Sequence, residues 1–120
     1  MRESGEMYLE SILILSKKKT KVRAIDIVDM MGFSKPSVSR ALSRLREEEC
    51  IVVAADGAIT LTESGKKTAD KIYERHRVVT DALIGIGVSP DTAEADACKV
   101  EHDISDETFD ALKKAVKSKY

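Results

Sequence analysis

The chain has 120 residues, of which 42% are hydrophobic and 34% are charged. This length fits one compact unit, or two small units that share a core, and it excludes a multi-domain enzyme. The formal net charge is −1, but the charges are segregated along the sequence. Five basic residues lie between positions 17 and 23, whereas residues 91–110 contain eight carboxylates and one lysine. We therefore expect a basic first half, to which the cations of residues 17–23 contribute, and an acidic second half.

Features of secretion, membrane insertion and catalysis are missing from the sequence. No apolar run approaches the length of a membrane span, and the first residues lack the apolar core of a signal peptide. We expect a cytoplasmic protein, in which the distant Cys50 and Cys98 are thiols. Neither His76 nor His102 belongs to an arrangement with serine or cysteine that could be called a catalytic triad, so we do not expect an enzyme.

The first two predicted helices cover about residues 4–18 and 23–31. The second carries one apolar stripe and ends at Gly32, which tolerates a positive φ. Gly32 to Ser34 then form a short turn, in which Phe33 is expected to fill the space between two helices.

The third helix is predicted over residues 35–48, and its start is well marked. Ser34 is a typical N-cap, and Pro36 falls in the first turn, where a missing N–H costs nothing. Apolar residues recur at spacings of four and three and predict one buried stripe: Val38, Leu42 and Leu45.

The other side of this helix is basic and carries small side chains, as a helix lying in a major groove requires. We expect Ser37 and Arg40 to face base edges, and Lys35 and Arg44 to contact phosphates. The full set of predicted DNA-contacting residues is Lys35, Pro36, Ser37, Ser39, Arg40, Ser43 and Arg44.

Two β-prone runs, residues 51–54 and 58–61, flank Ala55-Asp56-Gly57 and predict a hairpin. A helix-turn-helix followed by such a wing indicates double-stranded DNA binding. An ordinary helical hairpin with a solvated basic face is the alternative, and the wing and the charge asymmetry favour DNA binding.

The second half of the chain is predicted to be helical throughout. A long helix, capped by Thr62, runs to about Ile86; a second begins at Ser89-Pro90 and runs to about His102; Ser105 caps the last. These helices have too little core to stand alone, so we expect a homodimer. The predicted fold is mainly α, with a winged helix-turn-helix DNA-binding domain over residues 1–62 and a helical dimerisation and metal-binding domain over residues 63–120.

Three residues with metal-ligand chemistry fall together near the end of the second of these helices. Cys98, Glu101 and His102 stand at i, i+3 and i+4, so that thiol, carboxylate and imidazole converge on one patch. The alternative is a buried free cysteine beside an exposed Glu–His pair, and these three residues alone favour that alternative.

Over nearly its whole length, the sequence resembles the diphtheria-toxin-repressor and manganese-transport-regulator family of metal-dependent repressors. Five segments stand in the order and spacing of that family: Glu6-Met7-Tyr8-Leu9, Ser34-Lys35-Pro36-Ser37-Val38-Ser39, Leu61-Thr62-Glu63-Ser64-Gly65, Arg75-His76-Arg77 and Ala97-Cys98-Lys99-Val100-Glu101-His102. The resemblance implies a winged-helix DNA-binding domain, which we call the reading head, a helical dimerisation domain and a divalent metal bound between them.

The resemblance also implies which residues hold metal. In the iron-type branch, the corepressor ligands match Met7, Cys98, Glu101 and His102 of this sequence. A second site in that branch matches His76, whereas Thr80 stands where the branch has a carboxylate and Glu94 where it has a histidine. Glu10 is available as a further carboxylate.

The identity of the metal is expected from the softness of the ligands. The manganese-type branch, which the chain resembles in length, has carboxylates at the positions of Met7 and Cys98. Sulfur ligands disfavour Mn²⁺ relative to Fe²⁺, Co²⁺, Ni²⁺ or Zn²⁺. We therefore favour Fe²⁺, with the other four ions as alternatives.

The expected function is that of a metal-dependent repressor that controls metal homeostasis. Metal is expected to bind better when Met7 is docked against the ligands of the second half, and so to select the orientation of the reading heads that a palindromic operator requires. One alternative is a metal-independent winged-helix regulator that senses a thiol oxidant through Cys98. The other is a small metalloenzyme, for which the sequence offers no recognisable nucleophile.

Overall fold

The structure, a computed structural model, describes residues 3–119, and over these it is mainly helical with one small antiparallel sheet. In chain order the elements are α1 (Glu3–Lys18), α2 (Ala24–Met31), α3 (Lys35–Glu47), β1 (Ile51–Val53), β2 (Ile59–Leu61), α4 (Glu63–Gly85), α5 (Pro90–Val100) and α6 (Asp106–Lys119). The chain divides into two compact units, one up to Asp70 and one from Lys71 onward. The predicted fold class, a helix-turn-helix with a two-stranded wing followed by a helical domain, is confirmed.

Local signals explain where α3 begins. The Ser34 side chain accepts a hydrogen bond from the backbone N–H of Ser37 at 3.2 Å, as an N-cap does, and Pro36 lies in the first turn. The preceding helix α2 ends at Gly32, whose φ of 72° is the left-handed conformation that glycine adopts without strain. Both ends were predicted correctly because capping chemistry is encoded within a few residues.

The core of the first unit is formed by apolar residues from its three helices and from the sheet. The predicted stripe of α3, Val38, Leu42 and Leu45, is buried. Leu9 of α1 and Ile27 of α2 are also fully buried. Truncating such a side chain to alanine typically costs about 2–5 kcal/mol, so these residues fix the position of the outward face of α3.

The wing is a hairpin that a third segment of chain extends. Val53 pairs with Ile59 and Ile51 pairs with Leu61 in β1 and β2. Val22, in the connection between α1 and α2, forms an isolated antiparallel bridge with Ile59, and the Ile59 N–H donates to the Val22 carbonyl at 2.7 Å. This bridge anchors the wing to the helix-turn-helix, and the sequence pattern gave no signal for it.

The start of α4 packs closely on the start of the wing. A Cβ atom added at Gly65 would lie 2.0 Å from the carbonyl oxygen of Cys50, so only glycine fits there. Thr62 accepts a hydrogen bond from the Gly65 N–H at 3.1 Å and donates one to the Glu49 carbonyl at 2.6 Å. Thr62 thus caps α4, as predicted.

The expected position of Phe33 was wrong. Its side chain is 42% exposed, and its ring lies 6.1 Å from the ring of Tyr8 on α1. The core side of α2 and α3 is already occupied by the fully buried Ile27 and Val38. The turn residue between the helices is therefore left near the surface.

In the second unit, apolar side chains from α4, α5 and α6 are buried: Ile72, Val79, Ala93, Ala97 and Phe109. Helix α5 ends at Val100, two residues earlier than predicted, and residues 101–103 form a turn. Within the described residues, none of the helices combines the length and the hydropathy that crossing a membrane requires.

Candidate metal centre and nucleic-acid interface

A buried carboxylate lies between two imidazoles in the second unit. The side chain of Glu101 is 1% exposed; its Oε2 lies 2.8 Å from Nδ1 of His76, and its Oε1 lies 3.3 Å from Nε2 of His102. An ionised carboxylate removed from water is costly unless a positive charge or hydrogen bonds compensate it. The two imidazoles and Glu101 are placed so that one cation could contact all three side chains.

Two more candidate ligands lie next to the imidazole of His76. The Sγ atom of Cys98 lies 3.8 Å from Nδ1 of His76, and Oε1 of Glu94 lies 3.7 Å from Nε2 of His76. Cys98 and Glu94 are both exposed. Together with Glu101 and His102, they form a cluster that we call the ligand cluster: His76, Glu94, Cys98, Glu101 and His102.

Helical spacing explains how α5 contributes to the ligand cluster. Glu94 and Cys98 are four residues apart and share one side of α5. Glu101 follows three residues later, and its N–H donates to the carbonyl of Ala97 at 2.9 Å, which continues the helical path into the turn. His76 is presented from α4.

The alternative of a buried cysteine beside an exposed Glu–His pair is wrong for this structure, because Cys98 is exposed and Glu101 is buried. Ala93 and Ala97 are fully buried and define the inner side of α5. Glu101 lies four residues after Ala97 and continues that side, whereas Cys98 lies one residue after it and is rotated outward.

The donor set of the ligand cluster fits a divalent transition metal. It offers two imidazoles, carboxylates and a thiol within contact distance, and these are the side chains that bind Fe²⁺, Mn²⁺, Co²⁺ and Zn²⁺ in proteins. A cation here would also compensate the buried charge of Glu101. The residues present are therefore chemically suited to hold such an ion.

The remaining predicted ligands are Met7 and Glu10. Met7 and Glu10 belong to the first unit; they are three residues apart on α1, share a side of that helix and are partly buried. Thr80 lies one turn after His76 on α4, and its hydroxyl oxygen is buried without a hydrogen-bond partner among the described residues.

The family resemblance assigns His76 to a second site, separate from the ligands Cys98, Glu101 and His102. The structure brings His76 into contact with Glu101 and next to Cys98, so candidates for both sites form one cluster. The packing of α4 against α5 creates this contact, and no local pattern in the sequence encodes it.

The candidate nucleic-acid interface is the outer face of α3. All of its predicted DNA-contacting residues are exposed except Ser37, which is half-buried. The hydroxyl of Ser37 lies 2.9 Å from Oγ of Ser34 and 3.5 Å from Nη2 of Arg40. Ser37 therefore already takes part in the capping of α3, whereas Arg40 extends over its exposed surface.

The expectation that the cations of residues 17–23 simply add to the basic face requires correction, because three of them form ion pairs with aspartates. Nζ of Lys19 lies 2.7 Å from Oδ1 of Asp26, and Nζ of Lys21 lies 2.9 Å from Oδ2 of Asp56. The pKa values of both aspartates are lowered, chiefly by these lysine hydrogen bonds and also by backbone N–H donors. Asp56 also pairs with Arg23 at 3.7 Å, so the charge of this segment is offset locally.

Two family descriptions together match nearly the whole chain. "Iron dependent repressor, N-terminal DNA binding domain" matches residues 1–59. "Iron dependent repressor, metal binding and dimerisation domain" matches residues 62–118.

Curated proteins and solved structures point to the same family. The transcriptional regulator MntR of Escherichia coli O6:H1 is 36% identical over 112 residues, which cover 93% of this chain and 72% of that protein. The iron-dependent repressor IdeR of Mycobacterium tuberculosis is 30% identical over 115 residues, covering 95% of this chain and 50% of that protein. A solved manganese-dependent transcriptional repressor in complex with manganese superposes with a TM-score of 0.88 at 25% identity, over 94% of this chain and 52% of the solved chain.

The chain thus spans about half the length of the mycobacterial relative and of the solved repressor. The relatives' names include both iron and manganese, so the comparisons leave the metal of this chain open. Taken with the winged helix-turn-helix and the ligand cluster, these matches show that the chain belongs to the iron-dependent repressor family, whose members are metal-dependent, DNA-binding transcriptional repressors and not enzymes.

Proposed function

We propose that this protein represses transcription as a homodimer that binds a palindromic operator when divalent metal, with Fe²⁺ favoured, occupies the ligand cluster. The observation that carries the proposal is the buried carboxylate of Glu101 between His76 and His102, with the Cys98 thiol beside them. A solvated acidic surface would not place a carboxylate at 1% exposure beside two imidazoles and a thiol.

The proposed ligands extend beyond the ligand cluster. Cys98, Glu101 and His102 are assigned to the corepressor ion, with Met7 as a thioether ligand. His76 and Glu94 are assigned to a second ion or to an extension of the same centre, with Glu10 as a further carboxylate. The inclusion of Met7 and Glu10 rests on the family resemblance, on their donor chemistry and on their shared side of α1.

The preference for Fe²⁺ follows from the two sulfur ligands. Thiolate and thioether are softer than carboxylate and disfavour Mn²⁺. Since the intrinsic affinity order of divalent ions would place Ni²⁺, Cu²⁺ and Zn²⁺ above Fe²⁺, the metal available in the cell contributes to the outcome.

For DNA recognition, we assign residues 1–62 as the reading head and α3 as the helix that enters the major groove. The buried stripe of α3 leaves Arg40 and Arg44 exposed on its outer face. The paired cations Lys19, Lys21 and Arg23 contribute less than their number suggests, because Asp26 and Asp56 already balance them.

For dimerisation, we assign residues 63–120. Near the end of α4, Ile86 is 72% exposed and Ile84 is 39% exposed. A groove beside them is almost wholly apolar and lies between the end of α4 and α6; its lining is Asp81, Ala82, Gly85, Ile86, Leu112, Ala115 and Val116. Covering such a surface with a second copy would remove exposed apolar area from water.

The coupling of metal to DNA is a linkage. An ion that recruits ligands from both halves of the chain favours one arrangement of the reading heads, and a palindromic operator favours an arrangement with fixed half-site spacing. If the two preferences coincide, metal raises DNA affinity and DNA raises metal affinity by the same factor.

A metal-by-metal titration tests the proposal. Duplex DNA is first enriched from a random pool by the wild-type protein with Fe²⁺ under anaerobic conditions, and affinity is then measured with Fe²⁺, Mn²⁺, Co²⁺, Ni²⁺ and Zn²⁺. We expect Fe²⁺ to raise affinity, Glu101→Gln to abolish the response, and the exposed neighbouring change Asp103→Asn to preserve it. If none of the five metals changes the affinity of the wild-type protein for this DNA, the proposal is contradicted.

A thiol-oxidant sensor remains the second candidate, favoured by the exposure of Cys98 and its 3.8 Å separation from His76 Nδ1. Cys50 does not compete for this role, because burial, aided by the charge of Glu48, raises the pKa of its thiol and keeps it protonated. DNA binding that responds to peroxide but not to metal would favour this candidate.

A further inference from the structure

A buried arginine lies next to the ligand cluster and is not among its donors. Arg75 precedes His76 on α4 and is only 6% exposed. Its Nη1 donates to the backbone carbonyl of Ile104 at 2.8 Å and to that of Glu101 at 3.3 Å. Its Nη2 forms an ion pair with Asp106, the first residue of α6.

These acceptors bracket the segment that we call the ligand turn, residues 101–105, which carries Glu101 and His102. Carbonyl groups just past the end of a helix lack intrahelical partners, and a buried one is costly if it remains unpaired. Arg75 satisfies one carbonyl near each end of the ligand turn. The guanidinium fork is suited to this task because it donates in several fixed directions at once.

One further contact, with an aromatic ring, holds the guanidinium in place. Its central carbon lies 5.3 Å from the centre of the Phe109 ring, within the range of a cation–π interaction. Phe109 and Asp106 both belong to α6, so Arg75 connects α4, the ligand turn and α6 through one side chain.

We propose that Arg75 is the positioning residue of the metal centre, which fixes the ligand turn so that Glu101 and His102 meet His76. This inference rests on the proposed metal-binding function. One rigid helix, α4, then presents one ligand directly through His76 and places two others through the adjacent Arg75. Without the guanidinium, the ligand turn would sample other conformations, and metal binding would have to restrict them.

Lys71 supplies a matched control. Its Nζ also approaches the Asp106 carboxylate, at 3.5 Å, but its side chain is 59% exposed. Lys71 is not among the donors to the carbonyls of Glu101 and Ile104. If metal affinity falls only because Asp106 has lost a positively charged partner, it should fall in Lys71→Met as well as in Arg75→Met.

The experiment compares full-length wild type, Arg75→Met, Arg75→Lys and Lys71→Met. Co²⁺ affinity is measured by chelator competition, the visible spectrum of bound Co²⁺ reports ligand geometry, and hydrogen exchange of residues 98–106 is followed in metal-free protein. We expect Arg75→Met to weaken Co²⁺ binding by about 10- to 100-fold, as loss of partners that orient metal ligands does, with an altered spectrum and faster exchange. Arg75→Lys should be intermediate, since an ammonium lacks the fork, and Lys71→Met should match wild type.

A folded Arg75→Met with wild-type Co²⁺ affinity, spectrum and exchange overturns the inference and leaves the proposed function standing. If Arg75→Met does not fold, Arg75→Lys decides by the same three readouts. If the wild type itself binds no metal, the proposed function fails, and unchanged exchange of residues 98–106 in the Arg75 variant overturns the inference separately.

Discussion

The Oε2 atom of Glu101 lies 2.8 Å from Nδ1 of His76, although 25 residues separate them in the chain. Its other oxygen lies 3.3 Å from Nε2 of His102. Glu101 thereby connects the imidazole expected at a second metal site with the imidazole expected at the corepressor site. We expect the two proposed sites to be energetically coupled, because a charge placed near either imidazole acts on the same buried carboxylate.

Metal preference should change when the proposed sulfur ligands are replaced. Met7→Glu combined with Cys98→Asp substitutes oxygen donors of similar reach and is expected to shift the DNA-binding response from Fe²⁺ toward Mn²⁺. Response midpoints for both metals in wild type and variant give the measurement. An unchanged ratio of midpoints would remove Met7 and Cys98 from the ligand set.

Sequence preference on DNA should depend on Arg40. Arg40→Ala is expected to cost about 1–3 kcal/mol on the preferred operator and much less on operators altered at one position, as loss of a base contact does. Arg44→Ala, by contrast, should weaken binding to all sequences and reduce the salt slope by about one. If Arg40→Ala behaves like Arg44→Ala, Arg40 contacts only phosphate.

The ion pairs of Asp56 on the wing with Lys21 and Arg23 should make stability depend on pH. Its folded-state pKa is lowered by the Lys21 hydrogen bond and backbone N–H groups, so its contribution is present above the ordinary aspartate pKa of about 4. That contribution is lost as the pH falls through the lower, folded-state value. Wild type should therefore be more stable to urea than Asp56→Asn at pH 7, with a smaller difference near pH 3.

The matching control for Asp56→Asn is Asp29→Asn, which removes an exposed carboxylate from α2. A difference between wild type and Asp56→Asn that stays constant across this pH range would mean that the Asp56 charge does not stabilise the wing.

Dimerisation should depend on the exposed apolar end of α4. Ile86→Glu places a charge at a side chain that is 72% exposed and is expected to shift sedimentation at micromolar concentration from dimer toward monomer. Val52→Glu, on the wing, makes the same change at a side chain that is 55% exposed and should leave the dimer intact. Wild type that sediments only as monomer, with and without metal, would contradict the proposed dimer.

Local chemistry explains which elements were predictable. The start of α3 was readable because Ser34 and Pro36 act within one turn, and its buried stripe was readable because helical periodicity is visible in the sequence. The wing followed from β-prone runs around Asp56-Gly57, and Gly57 adopts a positive φ of 86°.

Most of the unpredicted features are tertiary. The contact of Glu101 with His76 depends on the packing of α4 and α5, and the pairing of Lys21 with Asp56 joins positions 35 residues apart. The burial of Glu101 was missed because the inner side of α5 is marked by two alanines, Ala93 and Ala97, which give a weak apolar signal. The role inferred for Arg75 needed backbone carbonyl positions, which a sequence pattern does not contain.

Chelation tests the central claim, that metal in the ligand cluster controls DNA binding, most directly. Operator affinity is measured for wild type, Cys98→Ala and His102→Ala as purified with Fe²⁺, after chelation, and after Fe²⁺ is restored. We expect wild type to lose affinity on chelation and to recover it, while both variants remain folded and keep only weak, nonspecific binding throughout. Wild-type affinity that chelation leaves unchanged, or a full metal response in both variants, would contradict the account.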